Sequence, residues 1–181
     1  NATATAEVVP QTGGPDIAEQ VDAMAALIKA GKIRYYGLSN ETAWGTHVFK
    51  RVAEAMGVPG PVTVQNSYSL VSRSVDNDLA EVLHRDRMSL LAYSPLAGGM
   101  LTGKYLGGRK PPNTRYVLFD GLGARFRKPI VAEAVEEYAK VAKACNLTLG
   151  QLALGFVKSR WFLGSSIIGA TSMEQLTANI A

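Results

Sequence analysis

Residues 90–105 read LLAYSPLAGGMLTGKY. An apolar run of strand character stops at Ser94-Pro95, passes through Gly98-Gly99 and ends on Gly103-Lys104-Tyr105. Glycine lets a backbone approach a ligand closely, proline sets its path, and lysine brings a point charge. The stretch reads either as a loop wrapped around an anionic ligand or as an ordinary strand-to-helix connection with a solvated lysine. What flanks it weighs on the choice.

Upstream, Asp16-Ile-Ala-Glu19 has the pattern of a capping box, and Ile17, Val21, Met24, Ala25 and Ile28 recur at helical spacing up to Gly31. Ile33–Leu38 predicts a short strand ending at Ser39-Asn40, and residues 42–56 a helix closed by Gly57 and Pro59. Val62–Gln65 predicts a second strand, Asp76–Arg85 a helix, and Ser89–Tyr93 a third strand. Downstream, Ile130–Cys145 and Leu149–Lys158 read as helices, the second capped by Thr148 with Gln151 at its third position. Ser165–Ile168 predicts a fourth strand, and Ser172-Met-Glu-Gln175 caps a last helix.

The strands are too apolar for a wet face, which marks a parallel sheet covered on at least one side by helices. They start near 33, 62, 90 and 165, so two regular units of about 29 and 28 residues precede one of about 75. The long segment follows the carboxyl end of a parallel strand, where α/β folds hold their ligands. That position tilts the opening stretch toward function. A unit of about 30 residues also suits a (β/α)₈ barrel, which needs about 250 residues. Four strands are either an open, doubly wound sheet or half of a barrel, and half a barrel leaves two parallel edges unpaired and an apolar face uncovered. Pattern alone leaves both open.

With 181 residues and 47% hydrophobic content, the chain can bury a core of its own, as one domain. No apolar segment is long enough to span a bilayer, and the start NATATAEVV lacks the charged-then-apolar pattern of a signal peptide. The single cysteine, Cys145, fits a reducing compartment and reads as a small core residue near a helix end, so a cytoplasmic protein without membrane insertion is expected. The net charge of +4 comes without a block of like charges, but Arg109, Lys110, Arg115, Arg125, Arg127 and Lys128 gather in one loop region. Aromatic–basic interleaving of the kind that binds RNA or single strands is lacking, and a phosphorylated small molecule accounts for the cluster at least as well.

The loops after the strands hold Ser39-Asn40, Gln65-Asn66, Tyr93-Ser94-Pro95-Leu96 and Gly169-Ala-Thr171. Carboxamides both donate and accept, which suits a neutral amide or a base edge. Each alone is explained by helix capping; their recurrence at the same end of successive strands favours a ligand. His47 and His84 lack an Asp or Glu arranged as a triad partner and read as partly exposed helix residues, and Glu41 and Glu54 as helix surface. Metal-ligand spacing, a GxGxxG motif and a phosphate loop are all lacking.

In this order, KIRYYGLSN, VTVQNSYSL, LLAYSPLAGGMLTGKY and SSIIGATSMEQLTAN resemble the second half of an aldo-keto reductase, most of all the group that includes voltage-gated potassium channel β subunits. The resemblance runs from about Asp16 onward. It implies a (β/α)₈ TIM barrel with NADPH stretched across the carboxyl ends of its strands, residues 1–181 being the C-terminal half of one barrel domain, strands five to eight. It implies further that Ser39, Asn40 and Gln65 hold the nicotinamide carboxamide and that Tyr93 stacks on the nicotinamide ring. Ser94, Pro95, Leu96, Ala97 and Gly98 would line the ribose and pyrophosphate, and Lys104 and Arg115 would meet phosphates, Arg115 the 2′-phosphate. Gly169, Thr171, Gln175 and Asn179 would seat the adenosine end at the last helix.

The family pattern has a glutamate where Ala178 stands and often an aromatic where Asn113 stands. The family's catalytic Asp, Tyr, Lys and His belong to the first half of the barrel, so this chain alone is expected to reduce carbonyls negligibly. The full reaction implied is NADPH-dependent reduction of an aldehyde or ketone. The alternatives are an NADPH-binding regulatory or truncated form, such as a channel partner, and a homo-oligomer that closes the sheet edges.

Overall fold

In the computed structural model, which describes residues 16–119, 121 and 123–180, the four strands form one parallel sheet in the order β1-β2-β3-β4. The reading of NATATAEVV, and the corresponding part of the 1–181 unit, lie outside the described residues. The strands are β1 Gly37–Ser39, β2 Thr63–Ser67, β3 Ser89–Tyr93 and β4 Leu163–Ile167. Seven helices accompany them: α1 Ile17–Lys29, α2 Ala43–Met56, α3 Leu79–Arg85, the single turn α4 Arg115–Leu118, α5 Pro129–Ala144, α6 Leu149–Lys158 and α7 Met173–Ile180. A doubly wound sheet reverses its strand order at a switch point. Here spatial order follows chain order throughout, which is consistent with the winding of a (β/α)₈ barrel.

Helices cover one face only. Side chains alternate across a strand, and the registers put Leu38, Val64 and Leu90 in one row and Asn66 beside Ala92 in the next. Val64, Leu90 and Ala92 are fully buried against Leu79 and Leu83 of α3 and Val157 of α6. Val21 of α1 packs with Phe49 and Ala53 of α2 as a smaller cluster that Leu38 joins. The opposite face carries Gly37, Thr63 and Ser89, then Ser39, Gln65, Leu91 and Ser165, then Ser67, Tyr93 and Ile167. None of these is buried. Among the described residues that face is uncovered and is mostly hydroxyl and amide rather than apolar, and none of the described strands pairs with the outer edges of β1 and β4.

Local signals set most boundaries. Thr42 Oγ1 accepts from the Gly45 N–H at 3.1 Å to open α2, and Thr148 and Gln151 form a complete capping box on α6. Four helices end alike: Gly31, Gly57, Arg87 and Asn146 take the left-handed conformation. The next residue's N–H then returns to a carbonyl in the last turn, as Val58 to Ala53 at 3.0 Å and Leu147 to Ala142 at 2.9 Å. Three expectations fail locally. The Asp16 side chain makes no cap, so its box does not form. β1 is three residues long because β2, its neighbour among the described residues, begins at Thr63 and offers nothing to pair with Ile33–Tyr36 as a strand, although Val62 N–H reaches Tyr36 O at 3.0 Å. The helix expected over Asp76–Arg85 is split into a 3₁₀ turn at Ser74–Asp76 and α3, because Asp78 turns its carboxylate onto the Leu79 N–H at 2.7 Å and starts a new helix.

Among the described residues no helix is long and apolar enough to cross a membrane.

Candidate functional site

The carboxyl ends of β1, β2 and β3 are tied together by side chains. Asn40 follows β1 in the left-handed region, φ 55°, a conformation Asn tolerates better than most residues. Its N–H donates to Gln65 O at 2.9 Å, its Nδ2 to Ser39 Oγ at 3.2 Å, and its Oδ1 accepts from Tyr93 Oη at 2.7 Å. Gln65 lies in register between Ser39 and Leu91 on the uncovered face. Asn66 points the other way. Its Nδ2 donates to Glu41 O at 2.9 Å while its buried Oδ1 has no partner among the described residues.

After β3 the chain coils tightly: Ser94, Ala97, Gly98 and Gly99 all have positive φ. Pro95 and Ala97 are buried, and Leu96 O accepts from both Gly99 and Leu101 N–H. Met100 and Leu101 pin the coil into a core with Leu149 and Ala153 of α6. Gly98 is required here, since a Cβ on it would sit 2.1 Å from the Tyr116 hydroxyl. That hydroxyl donates to Ala97 O at 3.0 Å, and burial pushes the Tyr116 phenol pKa up.

Beside this coil lies a cavity of about 370 Å³ whose walls include Ser94, Gly98, Arg115, Tyr116, Arg125 and Phe126. The Arg125 guanidinium rests over the Tyr93 ring, 5.5 Å from its centroid, and over Phe126 at 4.7 Å. Two arginines lining one cavity suit a phosphate-bearing ligand, because a guanidinium offers a planar fork to anionic oxygens. Carboxamide and hydroxyl groups at the strand ends suit a neutral amide.

The expected residues do not all meet. Ser39, Asn40, Gln65 and Tyr93 form one group, and Ser94, Gly98 and Arg115 line the cavity. Pro95, Leu96 and Ala97 build the coil between them without lining the cavity. Lys104 lies against Gly99 with its Nζ 5.4 Å from the Tyr105 ring centroid, also outside the cavity. Gly169, Thr171, Gln175 and Asn179 sit after β4 and along α7, where Gln175 Oε1 already accepts from Thr171 N–H at 3.0 Å and the Gln175 N–H donates to Ser172 Oγ.

Sequence reasoning did not single out Arg125 and Tyr116 as site residues. Arg125 stood out only as part of the basic cluster, and the glycine opposite Tyr116 gave no hint of its partner. His47 does have a carboxylate partner, Asp86 Oδ2 at 2.9 Å from Nδ1, brought from 39 positions away by packing of α2 on α3. Cys145 is exposed, because it stands at the end of α5 where the chain turns outward through Asn146. Among the described residues no cluster of His, Cys, Asp and Glu could hold a metal.

The model of the aldo/keto reductase family matches residues 4–181. The chain is 44% identical over 162 residues to protein tas of Escherichia coli (strain K12), covering 90% of this chain and 46% of that protein. It is 41% identical over 167 residues to an aldo-keto reductase of Babesia bovis, covering 90% and 59%. It is 30% identical over 167 residues to a probable voltage-gated potassium channel subunit beta of Oryza sativa subsp. japonica, covering 91% and 51%. The chain thus spans about half the length of the curated relatives it matches.

Proposed function

The chain belongs to the aldo/keto reductase family, and from that premise we propose that it is the cofactor-holding half of an NADPH-dependent reductase of aldehydes or ketones. On this reading β1–β4 are strands five to eight of a (β/α)₈ barrel, and residues 1–181 are the C-terminal half of that single domain. The observation that carries it is the hydrogen-bonded group Ser39–Asn40–Tyr93 at the strand ends beside a cavity faced by Arg115 and Arg125.

The residues fit such a ligand chemically. Asn40 and Gln65 present amide groups toward a carboxamide, Tyr93 offers an aromatic face, and Gly98 leaves room for a backbone-close approach. Ser94, Gly98 and Arg115 would face the phosphate-bearing part, on a coil that Pro95, Leu96 and Ala97 shape from beneath, with Lys104 against Gly99 outside the cavity and Gly169, Thr171, Gln175 and Asn179 at the adenosine end. When bound, NADPH supplies the hydride. The chain's own contribution is binding and orientation, and the acid that protonates the carbonyl belongs to the other half of the barrel. The partner is a small carbonyl compound in the cytoplasm. The similarity to a potassium channel β subunit favours a second reading, an NADPH-binding regulatory partner of a channel. The unpaired edges β1 and β4 favour association with a further copy where the other half is missing.

Calorimetric titration of Arg115→Ala tests the first reading. A charge-assisted hydrogen bond contributes roughly 1.5–3 kcal/mol, so NADPH affinity should fall about ten- to a hundredfold while NADH affinity barely changes. Equal losses for the two would place Arg115 on a group both cofactors share, and no loss for either would make it a solvated loop charge; each outcome removes the support for NADPH.

A further inference from the structure

A second cavity, of about 500 Å³, lies on the far side of Tyr116, between the long loop after β3 and helix α5. Tyr116 is its only wall shared with the cavity at Ser94 and Arg115, so the two are distinct spaces. The volume is that of a small-molecule site. Its floor is apolar, built by Met100 and by Val135 of α5. One wall is aromatic, Tyr105 against Tyr116 with centroids 5.1 Å apart.

The rim is cationic. Arg109 is held in place by two backbone carbonyls, its Nε donating to Leu106 O at 3.0 Å and its Nη2 to Gly103 O at 2.8 Å. Lys110 follows it, and Arg127 reaches over the Tyr116 ring, 5.7 Å from the centroid. Among the described residues that line the cavity the carboxylate is Glu136, which already accepts the Gly107 N–H at 2.8 Å. A guanidinium fixed by its own backbone loses little freedom when an anion arrives, which favours binding. An apolar floor, an aromatic wall and a cationic rim select a ligand by both shape and sign.

We propose that this second cavity binds a small amphipathic anion, a flat apolar body carrying one carboxylate. The body lies on Met100 and Val135 against the tyrosine wall, and the carboxylate meets Arg109 and Lys110 at the rim. The site needs neither a cofactor nor the uncovered face of the sheet, so it stands apart from the reductase reading and can be tested without it.

The test is fluorescence titration of the full chain with 1-naphthylacetate, and with 1-naphthylmethylammonium as a ring of the same size and opposite charge. We expect the carboxylate to bind with a Kd of about 1 mM or tighter and the ammonium at least about tenfold more weakly. Ala132 is exposed and lines the cavity, so Ala132→Trp fills it without entering the core and should abolish binding while circular dichroism and Tm stay as in the parent. The double variant Arg109→Ala/Lys110→Ala leaves the cavity open and should weaken the carboxylate about tenfold. It carries the test if Ala132→Trp fails to fold. No binding, equal binding of the two probes, or parental binding in the variants overturns the proposal.

Discussion

The two faces of one sheet differ more than any two elements of the molecule. Val64, Leu90 and Ala92 are fully buried on the helix side, while Thr63, Gln65, Leu91 and Tyr93, each next in chain to one of them, stay partly open on the other. Stability thus rests on one row of side chains, while the next carries the polar groups that the proposed function draws on, with the same backbone serving both. Substitutions on the two faces should therefore separate cleanly.

The largest separation should come from neighbouring leucines. Leu90→Ala should lower unfolding free energy by about 2–5 kcal/mol in urea titration, the usual range for a buried leucine. Leu91→Ala should cost well under half as much. Equal losses would mean that the uncovered face is packed in solution, against another copy or another part of the protein.

An alkaline effect comes next, and it belongs to the covered side. Burial, then the hydrogen bond from Tyr68 Oη to Asp76 Oδ1 at 2.7 Å, pushes the Tyr68 pKa up to about 12. The unfolded chain releases that proton near pH 10. Stability from this residue is therefore whole below pH 10 and fades as pH rises toward 12. Thermal melts of Tyr68→Phe should decline less steeply over that window than those of the parent, and parallel curves would refute the assignment.

At the strand ends, Gly98→Ala should cost about 1–2 kcal/mol, because φ 66° strains an L residue and the new Cβ displaces Tyr116 from Ala97 O. Pairing it with Tyr116→Ala should relieve the steric part only. The smallest change in stability should follow Tyr93→Phe, which removes one partly exposed hydrogen bond to Asn40 and costs about 1 kcal/mol or less in the same melts. A far larger loss would show that the uncovered face also holds the fold together.

What was legible in the sequence was local. Ser89–Tyr93 and Leu149–Lys158 were readable to the residue, since a strand between turns and a capped helix announce themselves within a few positions. Gly57 ends α2 for the same reason. The misses required distant partners. Residues 33–36 have strand composition, but only β2 can decide how much of that segment pairs. The carboxylate of His47 comes from Asp86, and the neighbour of Tyr93 is Arg125, 32 positions away behind a basic cluster that read as one undivided patch. The polar groups at successive strand ends were visible because strand spacing brings the Ser39 hydroxyl and the Gln65 amide side by side.

The long connection between β3 and β4 has a thermodynamic consequence. The step from Ser89 to Leu163 is nearly three times that from Thr63 to Ser89, yet closing a chain grows only logarithmically harder with length. The difference is about 1 kcal/mol of closure entropy, less than burying one leucine recovers. Closure entropy therefore sets little limit on the length of the exposed turns between residues 103 and 128, whereas Ala97, Met100, Leu101 and Phe126 are tied to the core and are not free to change. The cavity walls can be reshaped by lengthening those turns while the strands beneath them stay fixed.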